Sequence, residues 1–298
     1  MRRIICTQRK EDVKKWLELP FSSQAGTVEF VWLGQAGFIF RTRESSLCID
    51  PYLSNSLWEK YKDAHFTHER MVPIPCEPEY LATVDVIAST HGHTDHMDKG
   101  TLEKVYGNHQ DSPLYVCPRA EIEKAVARAV PISRIVALAA YETLGFGRPP
   151  GHKFSLSAIP SAHETLGKDS YGNDYFLGYI MHFDGMKIYH SGDCIPYEGL
   201  EDLLREYGID VAFLPVNGRD QYRNDHGIPG NFTIDEALTL VKVLEGPLLV
   251  PHHFGMFTFN SIEPEAIEQC VESNGIKIGE DVVVPQIGKV YTLSYDKG

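Results

Sequence analysis

Residues 90–98 read Thr90-His91-Gly92-His93-Thr94-Asp95-His96-Met97-Asp98, directly after the short apolar run Val84–Thr90. The run reads as a buried strand. Such a strand fixes the backbone, so the turn that follows fans several side chains toward one point. His91, His93, Asp95 and His96 form an H-x-H-x-D-H pattern. Imidazole suits zinc, iron and manganese, and a carboxylate hardens such a site and lowers its net charge. The i, i+2 histidines can face one ion, which leaves the adjacent Asp-His pair for a second. Chance would put the pattern in on the order of one chain in a thousand, so a solvated polar turn is the poorer reading.

Two ions need more ligands, and later segments supply them in order. Phe154–Pro160 reads as a strand and is followed by Ser161-Ala162-His163-Glu164. Met186–His190 is followed by Ser191-Gly192-Asp193, and Pro247–Pro251 by His252-His253. Each is an apolar segment ending in a metal-competent residue and then a loop. Cys194 after Asp193 reads as a buried apolar thiol. Neither a G-x-S-x-G elbow nor a phosphate-binding G-x-x-x-x-G-K-[ST] loop occurs in the chain.

The ordered set resembles the metallo-β-lactamase superfamily, over roughly residues 28–294. Val31-Trp32-Leu33-Gly34-Gln35-Ala36-Gly37, Ile49-Asp50-Pro51, Tyr189-His190-Ser191-Gly192-Asp193 and Pro251-His252-His253 are similar to the branch containing L-ascorbate-6-phosphate lactonase. The resemblance implies an αββα sandwich of two mixed β-sheets flanked by helices. It implies that His91, His93 and His163 bind one ion, that Asp95, His96 and His253 bind a second, and that Asp193 bridges them. It favours His253 over His252, because the family ligand stands two residues after the proline. Asp50 is expected to orient a ligand imidazole. His163 stands where the lactonase branch carries a carboxylate, and is closer to the superfamily's general dimetal pattern.

The implied activity is metal-dependent hydrolysis of a small lactone or ester, phosphorylated or not. The implied cofactors are two divalent ions, zinc or manganese, with iron a further option. Coordination brings the pKa of water from about 15.7 toward ~7, so a hydroxide shared by the ions can attack at neutral pH. Asp95 and Asp193 are expected to position it. A metal-dependent phosphodiesterase is the alternative, and a non-catalytic metal-binding protein a remote one. Arg219 and Arg223 are candidates for holding an anionic substrate group, since a guanidinium can hold phosphate through two parallel hydrogen bonds. The loops Thr165–Asp174 and Asn217–Phe232, with Trp58 and Tyr61, are expected to shape the pocket.

Composition narrows the partners. The 298 residues carry 28 Lys+Arg against 41 Asp+Glu, a net charge of −13, with 43% hydrophobic residues. That balance repels polyanions and anionic bilayers, so nucleic acid and membrane are not expected as partners and a small molecule is. No window approaches the ~20 apolar residues of a membrane helix, and no apolar stretch follows the basic start, so a cytoplasmic protein is expected. Six scattered cysteines without a C-x-x-C pair read as free thiols. Homo-oligomerisation is left open.

Residues 1–26 are expected to form a helical arm, from Val13, Trp16 and Leu17 at helical spacing, and residues 27–298 a single domain. Val28–Leu33, Phe38–Arg41 and Ser46–Asp50 read as an antiparallel meander stopped by Pro51. Thr233 with Glu236 reads as a capping box opening a helix.

Overall fold

The strand Thr27–Gly34 buries both of its faces. Side chains alternate across a strand, and here Val28, Phe30 and Trp32 point into one apolar cluster while Val31 and Leu33 point into another. A sheet apolar on both faces must be covered on both, by a second sheet on one side and helices on the other.

The computed structural model describes residues 3–19, 24–107, 112–147, 153–183 and 185–296. The strands are β1 (Ile4–Asp12), β2 (Thr27–Gly34), β3 (Gly37–Arg41), β4 (Ser46–Ile49), β5 (Val86–Ala88), β6 (Leu114–Pro118), β7 (Ile135–Leu138), β8 (Thr143–Phe146), β9 (Phe154–Pro160), β10 (Leu177–Phe183), β11 (Met186–His190), β12 (Val211–Pro215), β13 (Leu248–His252) and β14 (Lys289–Tyr295). The α-helices are α1 (Val13–Glu18), α2 (Ser56–Tyr61), α3 (Lys99–Tyr106), α4 (Ile122–Ala127), α5 (Leu200–Tyr207), α6 (Gln221–Asp225), α7 (Ile234–Val243) and α8 (Pro264–Ser273). One sheet runs β1-β14-β2-β3-β4-β5-β6-β7 and the other β13-β12-β11-β10-β9-β8. Both mix parallel and antiparallel pairs, which is the αββα sandwich expected.

The sheets meet through aromatic rings. Phe213 of β12 lies edge-on to Phe30 at 5.2 Å and to Phe38 at 4.8 Å. Such pairs add about 0.5–1.5 kcal/mol each beyond the area they bury. On the outer face of the first sheet, Val13 and Trp16 of α1, Leu102 and Val105 of α3 and Ala125 of α4 close the second cluster. Leu200 and Leu204 of α5, the stripe of α7, and Ile267 and Val271 of α8 join the larger cluster from the other side. Helix α7 opens with the expected capping box between Thr233 and Glu236.

The N-terminal segment departs from the helical expectation. The helical spacing belongs only to α1, capped by Asp12, which accepts from the Lys15 N–H at 3.0 Å. Ile4–Asp12 is instead an edge strand paired antiparallel with β14, from Ile4 opposite Tyr295 to Asp12 opposite Lys289. Its polar composition suits an edge, and its partner stands at the far end of the chain. Residues 1, 2 and 20–23 of the expected arm lie outside the described residues. Strands β7 and β8, four residues each, were too short to register as periodicity. Among the described residues no helix is long and apolar enough to cross a membrane.

Strand direction sets the position of the site. In the first sheet β4, β5, β6 and β7 are parallel. In the second, β11, β12 and β13 are parallel, and β9 runs with them because β10 is antiparallel to both β9 and β11. The Leu177 N–H at the start of β10 donates to the Thr90 carbonyl at 2.9 Å, joining the sheets where β5 ends.

Candidate metal centre

The segments after β5, β9, β11 and β13 bring the expected residues together. One donor atom each from His91, His93, His163 and Asp193 lie within 4.8 Å of one another, and the same holds for Asp95, His96 and His253. Asp193 faces both groups. Its Oδ2 is 3.6 Å from His163 Nε2 and 4.0 Å from His91 Nε2. Its Oδ1 is 3.2 Å from His96 Nε2 and 3.3 Å from His253 Nε2. Asp95 Oδ2 lies 3.8 Å from both His96 Nε2 and His253 Nε2.

The local sequence accounts for this convergence. The motif loop is clasped by Arg128, which donates to the carbonyls of Gly92, His93 and Met97 at 2.9, 3.2 and 2.6 Å. Asp98 ends the loop by capping α3, accepting from the Gly100 and Thr101 N–H groups. Asp50, after β4, sits at a left-handed φ of 47°. It accepts from Thr90 N–H and Oγ–H, each at 2.7 Å, and its Oδ2 lies 2.7 Å from His96 Nδ1. The expected carboxylate–imidazole contact is therefore present, turning His96 Nε2 toward Asp193. His252 and His253 diverge because the backbone turns left-handed at His253, φ 62°, whose N–H donates to Gln35 O at 3.0 Å. His252 continues β13 and stacks on His190 at 4.9 Å, outside the donor group.

Burial dominates the electrostatics. It pushes His91 well below the ordinary imidazole range and His163 down to about 4, so both offer neutral lone pairs. At His96 burial acts the same way but is outweighed by Asp193, Asp50 and Asp95, which hold the ring well above that range. Asp193 is held well below the carboxylate range, burial opposing and His96 and His253 prevailing. His96 Nε2 and Asp193 Oδ1 are close yet not aligned as a hydrogen bond. Together with His91 Nε2 they are buried polar atoms without a hydrogen-bond partner. An orphaned buried polar atom costs about 1–3 kcal/mol. Nitrogens and carboxylate oxygens aimed at common points are the donor set that divalent transition ions take, so these residues fit such ions.

His190 yields a pH prediction. Burial holds it down to about 4. Its ring nitrogens are both committed, Nε2 donating to Ala36 O at 2.9 Å and Nδ1 accepting from the Gly192 N–H at 3.1 Å. A second ring proton would set N–H against N–H. In the unfolded chain the ring titrates near 6.5. As pH falls below that value the unfolded chain gains a proton that the fold refuses. Stability is then full above about 6.5 and declines until about 4, by about 3 kcal/mol in all. Melting temperature in chelator should fall less steeply across this window in His190→Gln than in the parent; equal slopes would refute it.

Above the donors opens a cleft of about 380 Å³. Leu57 and Tyr61 of α2, Ile228, Pro229 and Phe257 give it an apolar wall, and Lys60, His68, Arg128 and Asn260 a polar one. Arg219 and Arg223 do not line it. Arg219 makes a two-pronged pair with Glu236, at 2.7 and 2.6 Å. Arg223 is buried, donating to Asp220, to the Asn217 carbonyl and to Asn260. Both cations sit beside helix N-termini whose acidic residues claim them. Trp58 and the loop Thr165–Asp174 are also absent from the lining. Tyr61 and, from Asn217–Phe232, residues Gly227, Ile228 and Pro229 are present. Arg128, His68 and Asn260 carried no local signal, since each is a single polar residue in an ordinary stretch.

Comparison with known proteins adds the following. Residues 47–254 match the family described as beta-lactamase superfamily domain. The chain is similar to a metal-dependent hydrolase of Myxococcus xanthus, 27% identical over 284 residues, covering 92% of this chain and 86% of that protein. It is 22% identical over 237 residues to a probable L-ascorbate-6-phosphate lactonase of Shigella flexneri, covering 76% of this chain and 66% of that one. In fold it resembles the isothiocyanate hydrolase from Delia radicum gut bacteria, with a TM-score of 0.68 at 17% identity over 88% of this chain and 97% of that one.

Proposed function

Since the chain belongs to the beta-lactamase superfamily and is a metal-dependent hydrolase, we propose that it hydrolyses a small lactone or ester, phosphorylated or not. The observation that carries the reading is Asp193, whose two oxygens face two separate groups of buried donors. His91, His93 and His163 would hold one divalent ion and Asp95, His96 and His253 the other, with Asp193 serving both; zinc and manganese suit these donors, and iron as well. Bound there, such ions supply hydroxide at neutral pH and positive charge for the oxygen that turns negative.

The chain's own residues do the rest. Asp95 lines the cleft, with its Oδ2 held by Gln35 Nε2 at 2.9 Å. We assign to it the transfer of the nucleophile's proton to the leaving oxygen. The wall of Leu57, Ile228, Pro229 and Phe257 limits water around the substrate body. Lys60 and Arg128 give positive charge in an otherwise acidic chain, which favours a substrate bearing an anion. The similarity to a probable lactonase supports the lactone class.

The test loads the protein with zinc or manganese and follows proton release from L-ascorbate 6-phosphate and a panel of simple lactones and esters. Acid release that stops with chelator and returns with metal is expected. A metal-replete protein that leaves the panel intact but cleaves bis(4-nitrophenyl) phosphate would overturn the lactone reading in favour of a phosphodiesterase.

A further inference from the structure

Three buried asparagines run head to tail from the loop of Asp193 to the cleft. Cys194, the residue after Asp193, donates its N–H to Asn231 Oδ1 at 2.9 Å. Asn231 Nδ2 donates to Asn217 Oδ1 at 3.0 Å, and Asn217 Nδ2 to Asn260 Oδ1 at 2.7 Å. Arg223 donates to the same Asn260 oxygen at 2.6 Å. The polarity of this series is forced at both ends. A backbone N–H and a guanidinium can only donate, so the atoms facing them must be oxygens. Asn260 is only 8% exposed and lines the cleft. With Oδ1 occupied twice, its Nδ2 has no partner among the described residues and is left to the cavity. A donor fixed in this way costs little ordering when a ligand arrives.

The charge beside it says what it receives. Lys60 and Arg128 line the same cleft. Among the described residues neither pairs with a carboxylate; Lys60 lies over the Tyr61 ring at 4.7 Å and Arg128 is held by carbonyls. We propose that Asn260 is a substrate-binding donor whose Nδ2, turned into the cleft by Arg223 and Asn217, receives an oxygen of an anionic group on the substrate, a carboxylate or a phosphate. Arg223 and Asn217 are then positioning residues: the arginine acts on substrate through Asn260. The inference rests on the cleft being the substrate site of the proposed hydrolase.

The test uses zinc-loaded, ¹⁵N-labelled protein. The Asn260 side-chain amide signal is assigned by its loss in Asn260→Asp. Inorganic phosphate and acetate are titrated separately, and affinities are measured by calorimetry with metal content checked in each variant. The amide protons should shift downfield saturably with one or both anions. Phosphate alone marks a phosphorylated substrate; acetate marks a carboxylate. Affinity should fall roughly tenfold in Asn260→Ala and roughly a hundredfold in Asn260→Asp, which sets an oxygen against the anion. Arg223→Met should weaken binding and broaden the amide signal, and Arg223→Lys, which keeps a donor, should restore part of both. An unmoved amide signal, unchanged affinity in the Asn260 variants, or no binding of either anion at millimolar concentration overturns the proposal. Chelator-sensitive hydrolysis measured on the same samples separates the two readings. Its absence would sink the hydrolase assignment, whereas hydrolysis with an inert Asn260 would sink only this one.

Discussion

Asp193→Ala is expected to lose hydrolysis by about 10,000-fold, equivalent to ~5.5 kcal/mol of barrier, and to hold at most one divalent ion per chain. The reason is the split of its carboxylate. One oxygen faces His163 and His91 and the other His96 and His253, so Asp193 stands between the two donor groups. Its removal leaves four imidazoles facing a gap, and His96 loses the strongest of the carboxylates that raise it. The fold should survive, because the surrounding strands are held together by apolar packing between the two sheets, and Asp50 still braces His96. Metal content by atomic emission, melting temperature and proton release from the same preparation test the three statements together. An active variant with its full complement of metal would sink the assignment of Asp193.

Gly192→Ala should be nearly as damaging, by a different route. Gly192 has φ 62°, where a side chain is strained, and an added Cβ would lie 2.5 Å from Thr90 Oγ1 and 2.6 Å from Thr90 Cβ. Thr90 cannot yield. It is buried, and both of its hydrogen-bond donors are held by Asp50 at 2.7 Å. Pushing it aside loosens Asp50, and through Asp50 the ring of His96. A destabilisation of roughly 3 kcal/mol combines the strained backbone with the overpacking. It corresponds to a melting temperature lower by about 6–12 °C for a chain of this size. Metal retention should fall by a further factor of about 10–100, the usual loss when a ligand's supporting contact goes. Thr90→Gly in the same chain should recover much of the melting temperature but not the metal. Wild-type melting and metal content in the single variant would refute the argument.

The metal donors were legible because each sits in a segment that directly follows an apolar strand: His91 to His96 within six residues of Thr90, and His163, Asp193 and His253 within three residues of the ends of β9, β11 and β13. Local pattern and ligand chemistry coincide there, and Val84–Thr90 with the motif that follows needs no knowledge of distant partners. What local pattern cannot show is a partner. Ile4–Asp12 has the composition of a polar segment, and only β14 makes it a strand. Arg223 was expected to hold an anionic substrate group directly, but Asp220 and Asn260, neither visible as its partner in the sequence, hold it away from the cleft. Asn217, Asn231 and Asn260 were invisible, since an isolated asparagine carries no periodicity and their mutual hydrogen bonds cross 14 and 43 positions.

The place of β14, hydrogen-bonded between β1 and β2, bears on how the chain is made. Both flanking strands leave the ribosome early, and the strand that joins them emerges after every other element described here. Until then β2 presents a bare row of amides and carbonyls on a strongly apolar segment, the kind of edge that recruits other strands. The nascent polypeptide therefore spends most of its synthesis with its central sheet open. Until β14 arrives the fold has no element to cover that edge, and β1 joins the sheet in the same late step that seals it.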